Sequence, residues 1–379
     1  MIFVPAEKLK VGMKLAKPIF NKSGVLLYDR DTRLNRQGII SIKNFNLIGV
    51  YILEPAEPLP PMTEEDRAYE RFQTMGVFSL RDAMNEIRDN RNEKPAEDLA
   101  DEIIRRYANH AGKITFNQNL RSPEDNVYKH SLNTAILAAA TYSRLASDPD
   151  RQRAVVLAAL LHDIGALDIP MAIKQKNTAD ITPEDNEIMD SCRAKGHDFL
   201  LEKTSIDTSV TRNIALLIKD IKDRHSGVIG YNIVADMQVE ALKVAYYFDE
   251  LTAMKYGEDP KSDIEAYKIL RHPKNHMNQQ ALLALTGAVK IVPVGCCVTF
   301  TNGDKGIVLT ENEDDILRPF VLSFRNNKIF NLSEGKVYEK FQIADVLKTM
   351  DNRYIMTDEY EKYKQALKDG KEKSISFEA

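Results

Sequence analysis

The chain is 379 residues long and 43% hydrophobic, and its 52 Lys and Arg against 56 Asp and Glu leave a formal charge of −4. That length gives room for two or three domains with a sizeable core, and the mild acidity removes any general pull toward nucleic acid or an anionic membrane. Three cysteines (Cys192, Cys296, Cys297) fit no disulfide or zinc framework and no apolar run suits a membrane helix; with no signal peptide in view, the expected location is a reducing, bacterial-type cytoplasm.

Residues 1–53 read as a small α+β module. Met13 to Phe20 is strand-like, Asn21-Lys22-Ser23-Gly24 is a turn, and Val25 to Tyr28 returns. Asn35 to Lys43 has a helical pattern and Val50 to Leu53 is another strand. Glu54 to Met62 holds four prolines and reads as a linker. Thr63 to His110 is charged and helix-forming, a long helix or helix pair suited to dimerisation or signal relay, or simply solvated. Residues 54–114 form this connecting region.

Residues 115–290 are predicted to be all-helical. Ser122-Pro123-Glu124-Asp125, Asp148-Pro149-Asp150 and Thr182-Pro183-Glu184-Asp185 each put a capping residue before a proline at the first helical position, with acidic residues following to complement the dipole. Helices are expected over 123–145, 149–162, 183–201, 210–221 and 239–254. From Val292 the period changes. Val298 to Thr310 reads as a hairpin through a type I′ turn at Asn302-Gly303, and Phe320 to Leu332 as a second hairpin, giving a β-hairpin module over 291–346 and a charged tail over 347–379.

The chemistry centres on His162-Asp163, at the end of the apolar run Ala154 to Leu161. An imidazole beside a carboxylate suits an intermediate metal ion. Adjacent helical residues point about 100° apart, so both can reach one ion only if the helix ends there, as Gly165 and Pro170 imply. The plainer alternative is a capped helix terminus. His130 lies on an upstream apolar helix, where a core histidine is the plainer alternative.

The order His, then His-Asp, resembles the HD superfamily of metal-dependent phosphohydrolases, and within it the HD-GYP family, the cyclic di-GMP phosphodiesterases of bacteria. Besides His130-Ser131, the resemblance rests on Leu160-Leu161-His162-Asp163-Ile164-Gly165 with Ile169-Pro170 following, and on Ile181-Thr182-Pro183-Glu184. Gly230-Tyr231-Asn232 stands where the family has Gly-Tyr-Pro, and Ala245 to Thr252 is similar to its "ADVFDALT". Leu9 to Phe20 and Val292 to Pro319 resemble modules that often flank the domain. The resemblance implies a mainly α, HD-domain helical bundle with a small N-terminal α+β module and a small C-terminal β-hairpin module.

It also implies a damaged centre. The family's Lys after "HDIG" is Ala166, its next metal His falls at Cys192, its paired His-His at Lys222 and Asp223, and the metal Asp of "ADVFDALT" at Tyr246; a Glu used by some members is Asn126. His130, His162 and Asp163 survive as ligands, with Asp163 also the catalytic carboxylate. His225, Asp223 and Cys192 are candidate ligands for a rearranged site. Lys176, Gly230, Tyr231 and Lys255 match the nucleotide-binding face. The expected cofactor is none or one divalent metal (zinc, iron or manganese), a full two-metal site being disfavoured. The expected function is HD-GYP-type signalling by cyclic-dinucleotide binding or contact with a signalling protein, with an active phosphodiesterase and a pure interaction scaffold as alternatives. A homodimer is a further expectation.

Overall fold

A computed structural model of the protein describes residues 2–45, 47, 49–53, 62–108, 112–119, 121–228, 236–255 and 260–347. The proline-rich stretch, Gly230, Tyr231 and Asn232, and the tail beyond 347 lie outside the described residues.

The N-terminal module contains β1 (Ile2–Pro5), β2 (Lys14–Leu15), β3 (Ile19–Phe20), β4 (Leu26–Tyr28), α1 (Arg36–Asn44) and β5 (Gly49–Leu53). The first sheet is antiparallel in the order β1-β5-β2, and β3 pairs with β4 separately. The strand expected from Met13 to Phe20 is broken in two, with Pro18, which cannot donate to a ladder, at the break. The Asn35 side chain accepts from the Gly38 amide at 2.7 Å and starts α1. Leu15, Leu34, Ile42, Val50 and Ile52 form a core of this module's own.

The connecting region becomes α2 (Glu64–Asn90) and α3 (Lys94–Ile103), followed by one π-turn. A capping box between Thr63 and Asp66 starts α2. This 27-residue helix is not merely solvated: it buries Phe72, Val77, Leu80, Met84 and Ile87 in the main core. Several ties dock the N-terminal module. Lys17 pairs with Glu70 at 2.5 Å, Arg67 with Asp29 at 3.1 Å, and the Tyr51 hydroxyl meets Met254 Sδ at 3.6 Å.

The helical domain follows as α4 (Asn126–Tyr142), α5 (Pro149–Leu161), α6 (Met171–Lys174), α7 (Pro183–Lys203), α8 (Thr208–His225), α9 (Met237–Thr252), α10 (Asp263–Arg271) and α11 (Gln279–Ala288). Helix α4 is central: every residue from Val127 to Tyr142 except Lys129 is buried. A helix apolar on all sides needs neighbours all round, and α2, α5, α9 and α11 supply them. The Asp148 and Thr182 caps form as the sequence predicts. The third start differs. Ser122 and Asp125 satisfy each other's backbone amides at 2.8 and 3.3 Å, closing a turn, and α4 begins only at Asn126.

The C-terminal module contains β6 (Cys297–Phe300), β7 (Lys305–Thr310), β8 (Phe320–Ser323), β9 (Ile329–Asn331), α12 (Gly335–Tyr338) and β10 (Ile343–Leu347). Its antiparallel sheet runs β10-β6-β7-β8-β9. The β6–β7 turn is not type I′. Only Gly303 has positive φ, at 84°, and its amide bonds Phe300 O at 2.9 Å, the pattern of a type I turn closed by a left-handed glycine. Val298, Phe300, Val308 and Val321 join the same core as α4. No helix among the described residues is long and apolar enough to cross a membrane.

Candidate metal centre

The site is assembled from α4, the end of α5, α7 and α9. Helix α5 stops at Leu161, His162 is its C-cap, and Asp163 turns the chain (φ −104°, ψ 18°) into a 3-10 segment over Ile164–Asp168. That break brings two adjacent side chains to one place. His130 from α4 joins them, and donor atoms of His130, His162 and Asp163 lie within 4.8 Å of one another, all three residues buried.

Both imidazoles are oriented by the nitrogen that faces away. His162 Nδ1 lies 2.8 Å from the Ala159 carbonyl, which can only accept, so Nδ1 carries the proton. Burial lowers this imidazole to about 4, against an opposing pull from Asp163, so it is neutral at pH 7. His130 Nδ1 lies 2.6 Å from Asp249 Oδ2. Burial alone would raise the Asp249 carboxyl, but Arg121 and His130 outweigh it and hold it well below the usual carboxylate range. The His162 Nε2 atom therefore presents a lone pair, and the Nε2 atoms of both rings are buried with no hydrogen-bond partner among the described residues.

Asp249 is an anchor that the sequence reading passed over. It accepts from Arg121 at 2.5 and 2.7 Å, from Gln118 at 2.8 Å and from Asn133 at 3.1 Å, besides His130. Asn133 in turn accepts from Gln73 of α2 at 3.0 Å. Gln73 accepts from Asn119 at 2.6 Å, and Asn119 accepts from Lys17 of the N-terminal module at 3.3 Å. The available signal was a carboxylate directly following the apolar run Val244 to Phe248 in α9.

Arg193 was also missed. It lies one residue beyond Cys192 on α7, is 6% exposed, and donates from Nε to Asp163 Oδ1 at 2.8 Å. Its presence, with that of His162 and His130, keeps the Asp163 carboxyl well below its ordinary range although burial pushes the other way. Arg193 reaches Asp163 because α7 sits backbone to backbone on the His-Asp turn. A Cβ on Gly165 would strike the Cys192 carbonyl and the Gly196 Cα, and a Cβ on Gly196 would strike Gly165.

The other candidates disperse. Cys192 meets the turn through its carbonyl, and its half-buried side chain packs on the core. His225 bonds Asp190 at 2.9 Å, while Lys222 is exposed and Asp223 half-buried near the end of α8. None of Cys192, His225 and Asp223 belongs to the donor group found among the described residues, and the cation paired with Asp163 is Arg193. Lys176 is paired with Asp185 at 2.5 Å, and Lys255 with Glu250 at 3.4 Å. Tyr246 stands edge-on to both imidazoles, with ring centroids 4.7 Å from His130 and 5.4 Å from His162.

The residues fit one divalent ion. Two orphaned Nε2 atoms and one carboxylate make three ligands of intermediate and hard character, with positions left open. Tyr246 supplies no carboxylate, Arg193 holds one oxygen of Asp163, and no fourth His, Cys, Asp or Glu joins this donor group among the described residues. When bound, a single ion would supply Lewis-acid polarisation of a phosphoryl oxygen and a more acidic water. Asp249 and the Ala159 carbonyl fix the two rings for it.

Residues 115–280 match the family described as "HD domain". A cyclic di-GMP phosphodiesterase of Pseudomonas aeruginosa is 26% identical over 259 residues, covering 66% of this chain and 59% of the relative. The chain thus spans well under two thirds of that protein's length. No solved structure matches. The helical bundle, the grouped His130, His162 and Asp163 and the matching family model lead to one statement: residues 115–280 of this chain match the HD domain.

Proposed function

We propose that this is an HD-GYP-type signalling protein with a degenerate centre, acting by binding a cyclic dinucleotide or by contact with a signalling protein rather than by hydrolysis. One observation carries the reading: the Asp163 carboxylate is divided, one oxygen beside His162 at 3.9 Å and the other bonded to Arg193 at 2.8 Å. Two ions about 3.5–4 Å apart repel strongly and need bridging and terminal carboxylates to offset that repulsion. A tyrosine ring and a guanidinium supply none. His130, His162 and Asp163 are the proposed metal ligands. Lys255 and Lys176 are the proposed basic groups for a nucleotide, although each already holds a carboxylate partner.

Purified protein incubated with cyclic di-GMP and excess manganese or iron is expected to release no linear dinucleotide above the buffer blank. Calorimetry with the same ligand then separates nucleotide binding from protein contact alone. Turnover would overturn the reading in favour of a working phosphodiesterase, the activity that the relative's name carries.

A further inference from the structure

We infer that the Arg193 guanidinium occupies the second cation position of the HD centre, a fixed unit charge standing where a two-ion centre would hold its other metal. The inference deepens the one-ion reading and rests on it. A bridging carboxylate gives one oxygen to each of two cations. Asp163 is disposed in that way: Oδ2 lies on the imidazole side, 3.9 Å from His162 Nε2, and Oδ1 accepts from Arg193 Nε. Arg193 Nη1 is buried without a hydrogen-bond partner and lies 3.9 Å from Asp190 Oδ1, so a second carboxylate flanks the guanidinium as one would flank an ion. His225 holds Asp190 in turn at 2.9 Å.

A guanidinium is always charged, offers only donors and coordinates nothing. It therefore replaces the electrostatic part of a second ion and none of its ability to acidify water. Its charge also opposes the ion that the three ligands would bind. The close contact between Gly165 and the Cys192–Gly196 backbone sets α7 directly against the His-Asp turn and so brings Arg193 within reach of Asp163.

The test is manganese titration of the full chain after chelator stripping, followed by calorimetry and by metal content at saturation. Wild type is expected to take at most one ion per chain. Arg193→Gln, which deletes the charge and keeps a donor for Asp163, is expected to bind the ion at least 10-fold tighter, and Arg193→Lys to stay within about 3-fold of wild type. Unchanged or weaker binding by the Gln variant would show that Arg193 merely orients Asp163 and would overturn the inference. So would two ions in wild type, a readout that stands even if a variant fails to fold, and so would the absence of binding in every form. Hydrolysis by a wild type holding one ion would instead overturn the proposed function and leave this inference intact.

Discussion

Asp249→Ala is expected to destabilise the protein by about 3–5 kcal/mol, the cost of leaving a buried charge without its partner. The side chains of Arg121 and Asp249 are 1% and 0% exposed. Arg121 Nε and Nη1 have no hydrogen-bond partner among the described residues, and besides a bond to Gln118 at 2.9 Å the guanidinium is compensated by this one carboxylate. The same truncation strips acceptors from Gln118, Asn133 and His130. Guanidinium-induced unfolding followed by far-UV circular dichroism measures the effect. A loss below about 0.5 kcal/mol, the ordinary range for a surface change, would show that water replaces the carboxylate and that the site is wetter than its burial implies. Any metal affinity that remains should also fall about 10–100-fold, because His130 loses the group that fixes its ring.

The second large effect is expected at the crossing of α7 over the His-Asp turn. Gly196→Ala and Gly165→Ala each place a methyl group against backbone atoms, which cannot rotate away as a side-chain tip can. The helix must move off the turn, at a cost at or above the upper end of the 1–3 kcal/mol typical of overpacking (about 3 kcal/mol). Gly287→Ala is the control. It lies within α11, an added Cβ there would meet nothing within 4 Å, and alanine should be neutral or stabilising by roughly 0.5–1 kcal/mol. Equal melting temperatures for Gly196→Ala and Gly287→Ala would contradict the close approach.

What could be read from the chain alone was what neighbouring residues decide among themselves. The Asp148 and Thr182 caps, the helix end at His162 and both hairpins rest on contacts a few residues apart. Even there the competition was close. Ser122 and Asp125 spend their side chains on each other's amides, and the helix starts late. Asn302 was given a left-handed conformation that only Gly303 adopts.

The centre was legible as far as its ligands are adjacent. His162 and Asp163 declared themselves, and His130 followed by order along the chain. Arg193 and Asp249 act across 30 and 128 residues of sequence, on Asp163 and Arg121, and no periodicity encodes such pairings. Attention fell on Cys192 because of its alignment. One residue is about 100° of helix, and it is Arg193 that reaches the carboxylate, while Cys192 turns its carbonyl to Gly165.

The line of amides that reaches Asp249 has a mechanical meaning. Lys17, Asn119, Gln73, Asn133, Asp249 and His130 hand hydrogen bonds from one to the next, from the N-terminal module to the ring of the metal centre. Peeling that module away would strand Glu70, 6% exposed, without the Lys17 ammonium that makes its burial tolerable, and would take the Lys17 donor from Asn119. The module and the His130 imidazole are thus the two ends of one unbroken line of hydrogen bonds.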